Sequence, residues 1–230
     1  SALNPFGFLK DDTDEENCDL NLNNRFLFQS PSQKWIADYI YKQLYNKNNY
    51  YYGIEALTLK MHEWSIRYKV TRSLILKSGY QVGVKHHSSQ FFHNKNYTIE
   101  THNLKLESQF QHSETIHLIV KYDYKFKINL LGKEEVSSHE VETESYYRMA
   151  KKGMLQINLK YAHLRPNQEI GGNLAYEILE GQTEGSNWLW SVMYQTKLVD
   201  YLFLDLQYNG RKGGQNRVIH TGSLQIKFLF

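Results

Sequence analysis

Residues 217–230 read RVIHTGSLQIKFLF, and the sidedness of this stretch decides the fold. Val218, His220, Gly222, Leu224, Ile226, Phe228 and Phe230 recur at every second position. Arg217, Thr221, Ser223, Gln225 and Lys227 fill the alternate ones, with Ile219 and Leu229 as exceptions. In an extended chain successive side chains point to opposite faces, so this period marks a strand apolar on one side and polar on the other.

Working upstream, the same beat returns. Leu202, Leu204, Leu206 and Tyr208 alternate, as do Trp188, Trp190, Val192 and Tyr194, and Leu155, Ile157, Leu159 and Tyr161. The clearest run is Ile116, Leu118, Val120, Tyr122, Tyr124, Phe126, Ile128 and Leu130. Earlier segments around Leu104, Leu74, Trp64, Trp35 and Leu20 follow suit. These segments are roughly 10 to 17 residues long, against about 5 to 6 for strands of soluble proteins, and a tilted strand needs roughly 9–11 to cross a bilayer. Length and sidedness together predict an all-β, antiparallel up-and-down transmembrane β-barrel.

Composition agrees. Only 41% of the 230 residues are hydrophobic and the mean hydropathy is −0.61. No run approaches the roughly 20 apolar residues of a membrane helix, whereas a barrel shows lipid only every second side chain. The chain has 18 Tyr and 4 Trp, suited to many strand ends at a membrane–water interface, and three Pro, as a hydrogen-bonded ladder requires. A net charge of +3, spread evenly, gives no nucleic-acid footprint. Cys18 has no partner for an internal disulfide and reads as an ordinary thiol.

Residues 1–17 stand apart. A Pro-Phe-Gly turn precedes an acidic run of Asp11, Asp12, Asp14, Glu15 and Glu16 that lacks the glycine and final glutamate of a calcium loop. This segment reads as a lead-in or linker before a barrel at 18–230. A chain opening on Ser1 with no signal peptide is expected to be a processed form or a fragment.

The segments LQYNGRKGGQNRVIHTGSLQIKFLF (206–230), LAYEILEGQTEGSNWLW (174–190) and SPSQKW (30–35) resemble the C-terminal barrels of large outer-membrane proteins of Bacteroidota. The resemblance covers most of residues 30–230 and is strongest at the C-terminus. It implies a Gram-negative outer-membrane location, a chain whose earlier part is extracytoplasmic, and a C-terminal assembly signal at Phe228 and Phe230 read by the barrel-assembly machinery. It carries no catalytic residues. With the C-terminus placed in the periplasm, the connections 197–200, 150–153, 112–114 and 70–73 fall on the periplasmic side and are short. The connections 209–216, 164–185, 130–137, 86–96 and 46–58 fall outside and are longer, the usual asymmetry of such barrels. This count gives ten strands from about Lys34, or twelve if residues 1–30 supply another pair; LAYEILEG could also form an extra hairpin arm.

The polar faces carry a charge ladder. Lys121, Lys125 and Lys127 on one strand oppose Glu140, Glu142 and Glu144 on its hairpin partner, and opposite charges across a ladder are mutually stabilising. The ladder can line a pore or ligand site, but a barrel of this size is largely filled by its own side chains, so a neutralised, closed interior is expected.

Other constellations are weaker. His86, His87 and His93 share a loop without acidic or thiol companions, so no metal is expected. His87, Ser88 and Ser89, with His163 and His220 elsewhere, lack a nucleophile elbow or a paired acid and base, so neither catalysis nor a cofactor is expected. The stretch 210–217 lacks the strand–loop–helix setting of a phosphate loop; Arg211, Lys212 and Arg217 could instead touch lipopolysaccharide. The expected role is a structural or anchoring barrel, or a subunit of a larger outer-membrane complex with protein partners. A small channel is the alternative, and an outer-membrane enzyme comes third.

Overall fold

The computed structural model describes residues 17–50, 53–149, 153–199, 201–214 and 216–228. Eleven strands make one sheet in sequence order, every neighbour antiparallel. They are β1 (Cys18–Gln29), β2 (Trp35–Tyr50), β3 (Gly53–Lys69), β4 (Leu74–Ser89), β5 (Tyr97–His112) and β6 (Ile116–Asn129), followed by β7 (Glu135–Met149), β8 (Gly153–Pro166), β9 (Gly185–Val199), β10 (Leu202–Gly213) and β11 (Ile219–Phe228). A 3₁₀ turn at His93–Lys95 and one helix, α1 (Gly172–Ile178), complete the elements.

Ten of these strands lie downstream of Lys34, and the eleventh, β1, comes from the stretch expected to supply an extra pair. The upstream residues that would have to supply a twelfth strand, the acidic run and the terminal Phe230 lie outside the described residues. An odd number of antiparallel strands leaves β1 and β11 running the same way. Among the described residues each of these two pairs with one neighbour only.

The alternation sorts the residues onto two faces. One face carries Leu204, Leu206, Ile157, Leu106, Ile66 and their neighbours in register, and Ile226 sits opposite Leu204 as Leu224 sits opposite Leu206. Forty large hydrophobic residues are exposed among the described residues, against six buried hydrophobic ones of which one is Ala162. That inversion is untenable in water, where contiguous exposed apolar patches rarely exceed a few hundred Å²; it suits a wall whose outer face meets hydrocarbon. No described helix is long and apolar enough to cross a membrane.

The other face is polar and forms the inside of the curl. Gly79 and Gly83 lie on it in β4, and a Cβ at Gly83 would stand 3.0 Å from the Lys60 carbonyl oxygen. With no side chain at Gly79, Lys105 of β5 reaches across β4 to Glu63 of β3 at 3.3 Å. Such a bridge between non-adjacent strands belongs to a strongly coiled sheet.

One end of the sheet has brief turns at 30–34, 70–73 and 113–115, and β7 and β9 end there at Met149 and Val199, only a few residues before β8 and β10 begin. The turns rest on local chemistry: the Thr71 hydroxyl accepts from the Ser73 and Leu74 amides, and Ser113 takes a positive φ of 71°. The opposite end carries 90–96, 130–134, 167–184 and 214–218. There the expected long loop at 46–58 is corrected. The ladder runs on until Tyr50 faces Gly53, whose φ of 127° suits a hairpin corner that a larger residue would resist. The Asn-rich polar run reads as loop by composition, yet its residues pair because β2 and β3 continue beyond the apolar band, where polar side chains are at home on both faces.

Candidate functional site

The distinctive feature of the interior is the connection 167–184, which folds back onto the polar face instead of standing away from the sheet. LAYEILEG is a short helix running into a turn within a single long connection, as the ten-strand count took it, and not an extra hairpin arm. Gly171 and Gly172 admit the helix start, Gly172 at a φ of 64°. Leu174 and Ile178, four residues apart, then share one side of the helix.

Ile178 is the most deeply buried large side chain, 1% exposed. Its cluster is Tyr97 and Ile99 of β5, Val136 of β7, and Ala162 and Leu164 of β8, with Ile170, Leu174 and Leu179 packed at the edge. All the strand members occupy inward positions at the long-loop end, where the polar face turns apolar for a few rungs. Burying an isoleucine this completely contributes about 1.5–3 kcal/mol.

Charge then latches the loop. Glu177 meets Lys85 of β4 at 2.5 Å. Glu180 bridges two lysines of β6, with its oxygens 2.8 Å from Lys125 Nζ and 2.8 Å from Lys127 Nζ. Lys127 Nζ also donates to the Ile178 carbonyl at 3.0 Å. Burial alone would raise the Glu180 carboxyl pKa, but the two ammonium groups prevail and hold it at about 2. The space left between Lys125, Lys127, Glu140, Leu164, Ile178 and Glu180 is about 10 Å³, room for at most one water.

The six ladder residues divide into two sets. Lys121 faces Glu142 in register at 3.8 Å, but its shorter contact is the diagonal one to Glu144. Lys125 likewise reaches diagonally to Glu140 at 3.1 Å, and Glu140 also receives Lys160 of β8 at 2.8 Å. Lys127 stands opposite Val136 and has no glutamate across the strand; its carboxylate is Glu180, from the loop. Glu177, Ile178 and Glu180 dock the loop, a role that strand periodicity could not reveal. The signal available was the helical spacing of Leu174 and Ile178 inside a stretch too long for a turn.

The remaining candidates are separated. His87 lies on the inner face, bonded to the Lys95 carbonyl at 3.0 Å and stacked on Tyr97, while His86 lies on the outer face against Thr98. Ser88 shares His86's face. Ser89 is buried, its amide donating to Asn96 at 2.6 Å and its hydroxyl accepting from the Phe92 amide at 3.2 Å. These groups shape the 90–96 turn and do not converge. No cluster of three metal-ligating residues occurs among the described residues.

His163 does approach a serine, Ser186 Oγ, at 3.2 Å. However, Arg165 Nε donates to His163 Nε2 at 2.9 Å, which leaves the ring proton on Nδ1, pointing at the hydroxyl. The imidazole thus donates to Ser186 and does not accept its proton, the reverse of an activated nucleophile. Arg211 lies on the polar face and Lys212 on the apolar one, opposite Trp188. Phe228 closes β11 in register with Leu202.

No protein-family model matches the sequence, and no curated protein matches it. Solved structures do. The siderophore receptor PirA from Acinetobacter baumannii superposes with a TM-score of 0.58 at 10% identity, covering 95% of this chain and 42% of the receptor. CdiB from Acinetobacter baumannii gives 0.51 at 10% identity, covering 94% of this chain and 45% of CdiB. The chain thus spans less than half of either protein. At such identity the likeness concerns architecture alone: the fold is the antiparallel up-and-down sheet of outer-membrane β-barrel proteins.

Proposed function

We propose that this chain forms the wall of an outer-membrane β-barrel that closes on itself or with further strands, and acts as a structural or anchoring module within a larger outer-membrane assembly. The observation that carries this reading is the inward loop. A passage for solute needs an open polar interior, and here Ile178 and Glu180 fill the long-loop end beside β4–β8. Inside, lysines and glutamates satisfy one another, which leaves little unpaired charge to attract an ion. The expected companions are outer-membrane lipids, the assembly machinery that would engage Phe228, and protein partners. The proposed origin is a Gram-negative outer membrane of Bacteroidota type, with the brief turns facing the periplasm.

A second reading has one observation in its favour. Beyond the loop, the polar face of β7–β11 keeps a hollow of about 400 Å³ lined by Glu142, Asn158, Lys160, Asn209 and Arg211. Were the loop to lift, that hollow would belong to a small channel. Planar-bilayer recording separates the two. The anchoring reading expects no conductance from the native chain and co-purification of a partner from native outer membranes. Steady ion conductance from a chain that always purifies alone would overturn it.

A further inference from the structure

The line at which polar side chains begin to enter the apolar outer face is marked four times by the same pair of side chains. The Tyr39 hydroxyl lies 2.8 Å from His62 Nδ1 across β2 and β3. Tyr80 lies 2.7 Å from His102 across β4 and β5, Tyr122 2.9 Å from His139 across β6 and β7, and Tyr208 2.7 Å from His220 across β10 and β11. In each pair the histidine sits one rung nearer the long-loop end than the residue directly opposite the tyrosine. Toward the brief turns the same face is apolar, with Leu76, Leu104, Leu106, Val120, Leu206 and Leu224. Toward the long-loop end Lys60, Glu100, Thr98 and Ser137 join the face, interleaved with Val84, Phe126, Ile128 and Trp188.

The pairing fixes the protons. A phenol is the stronger acid and imidazole the stronger base, so the hydroxyl donates to Nδ1 and each ring keeps its proton on Nε2. An N–H at the edge of hydrocarbon needs an acceptor. For His102 the chain supplies one, since Nε2 lies 3.1 Å from the Glu100 carboxylate one rung further out. His62, His139 and His220 have no such neighbour among the described residues. The corresponding positions hold Lys60, Ser137 and Val218. Three donors aimed from an interface, with the fourth already seated on an anionic oxygen, define what the other three lack.

We infer that the Nε2–H groups of His62, His139 and His220 bind phosphate oxygens of membrane-lipid headgroups, making the tyrosine–histidine pairs a phosphate-holding belt at one membrane interface. Lys60 would add a cation beside His62. The inference rests on the reading of the chain as a membrane barrel, and its test keeps the two apart.

The full chain is refolded in detergent and offered either phosphatidylglycerol or diacylglycerol of identical acyl chains, and bound lipid is counted by native mass spectrometry. The phospholipid is expected to be retained in excess, about tenfold per occupied pair, as for a hydrogen bond to a charged acceptor. The excess should vanish in the triple variant His62→Phe, His139→Phe, His220→Phe. The variant Tyr39→Phe, Tyr122→Phe, Tyr208→Phe keeps every imidazole but loses the proton-fixing hydroxyls, and should retain an intermediate amount. Equal retention of the two lipids, or an undiminished excess in the histidine variant, overturns the belt. Insertion is read separately from quenching of tryptophan fluorescence by brominated lipids in vesicles. Strong quenching with equal lipid retention sinks the belt alone, and no quenching sinks the membrane reading with it.

Discussion

Ile178→Ala tests whether apolar burial is what keeps the 167–184 loop inside. The native side chain is 1% exposed and contacts a closed cluster of five strand residues. Deleting it removes the transfer term and leaves a cavity whose walls, held in the sheet ladder, collapse poorly; such replacements cost about 2–5 kcal/mol. Alanine returns a few tenths through its better helix propensity. The loss falls on loop docking and not on the sheet, whose ladder is unchanged. At 1.4 kcal/mol per decade, the undocked fraction rises by roughly 15- to 2,000-fold. The assay is amide hydrogen exchange at Leu179 and Gly181, whose amides donate to the Ala175 and Tyr176 carbonyls. Asn173→Ala, an exposed change on the same helix, serves as the control. Exchange accelerated less than about threefold by Ile178→Ala, at an unaltered global melting point, would refute the argument.

The electrostatic half of the latch has its own signature. Glu180→Gln removes the bridge between Lys125 and Lys127 and should speed exchange at Leu179 while leaving the hairpins of β9 to β11 untouched. The carboxyl of Glu180 is depressed from 4.5 to about 2 in the fold. Its contribution is therefore fully present above pH 4.5 and lost as the pH falls toward 2. Native loop exchange should quicken across that window, and the glutamine variant should respond less. Gly210→Ala would place a Cβ 2.1 Å from Trp190 Cε2, since the indole lies over the glycine on the outer face. It should destabilise by about 1–3 kcal/mol, read as a lower temperature of heat-modifiable migration in gels. Trp190→Leu in the same chain should recover most of the loss. Should the native loop conduct no current, Ile178→Asp is expected to produce openings in planar bilayers; a silent variant would leave the hollow on β7–β11 without a path.

Strand identity, strand sides and the direction of each polar face were legible in the sequence. An antiparallel ladder fixes side chains at a period of two whatever lies around it, so Lys121, Glu142 and the outward row Leu202–Leu204–Leu206 could be assigned from spacing alone. The brief turns were legible too, because Thr71, Ser113 and their neighbours build them from local hydrogen bonds. Strand ends were not. Asn46 to Tyr50 look like loop, and only the partner strand continuing opposite them holds them in the ladder.

The sequence by itself determined a wall with one face fit for hydrocarbon and the other for water, since alternation is a property of consecutive residues. Only the tertiary structure decided what fills the curl. Ile178 finds Ala162 and Glu180 finds Lys127 over long separations along the chain, through the coiling of the whole sheet. The tyrosine–histidine pairs arise the same way, from a diagonal offset that registers two strands at once. Contacts of that kind depend on curvature and register together, and neither is written in any single stretch of residues.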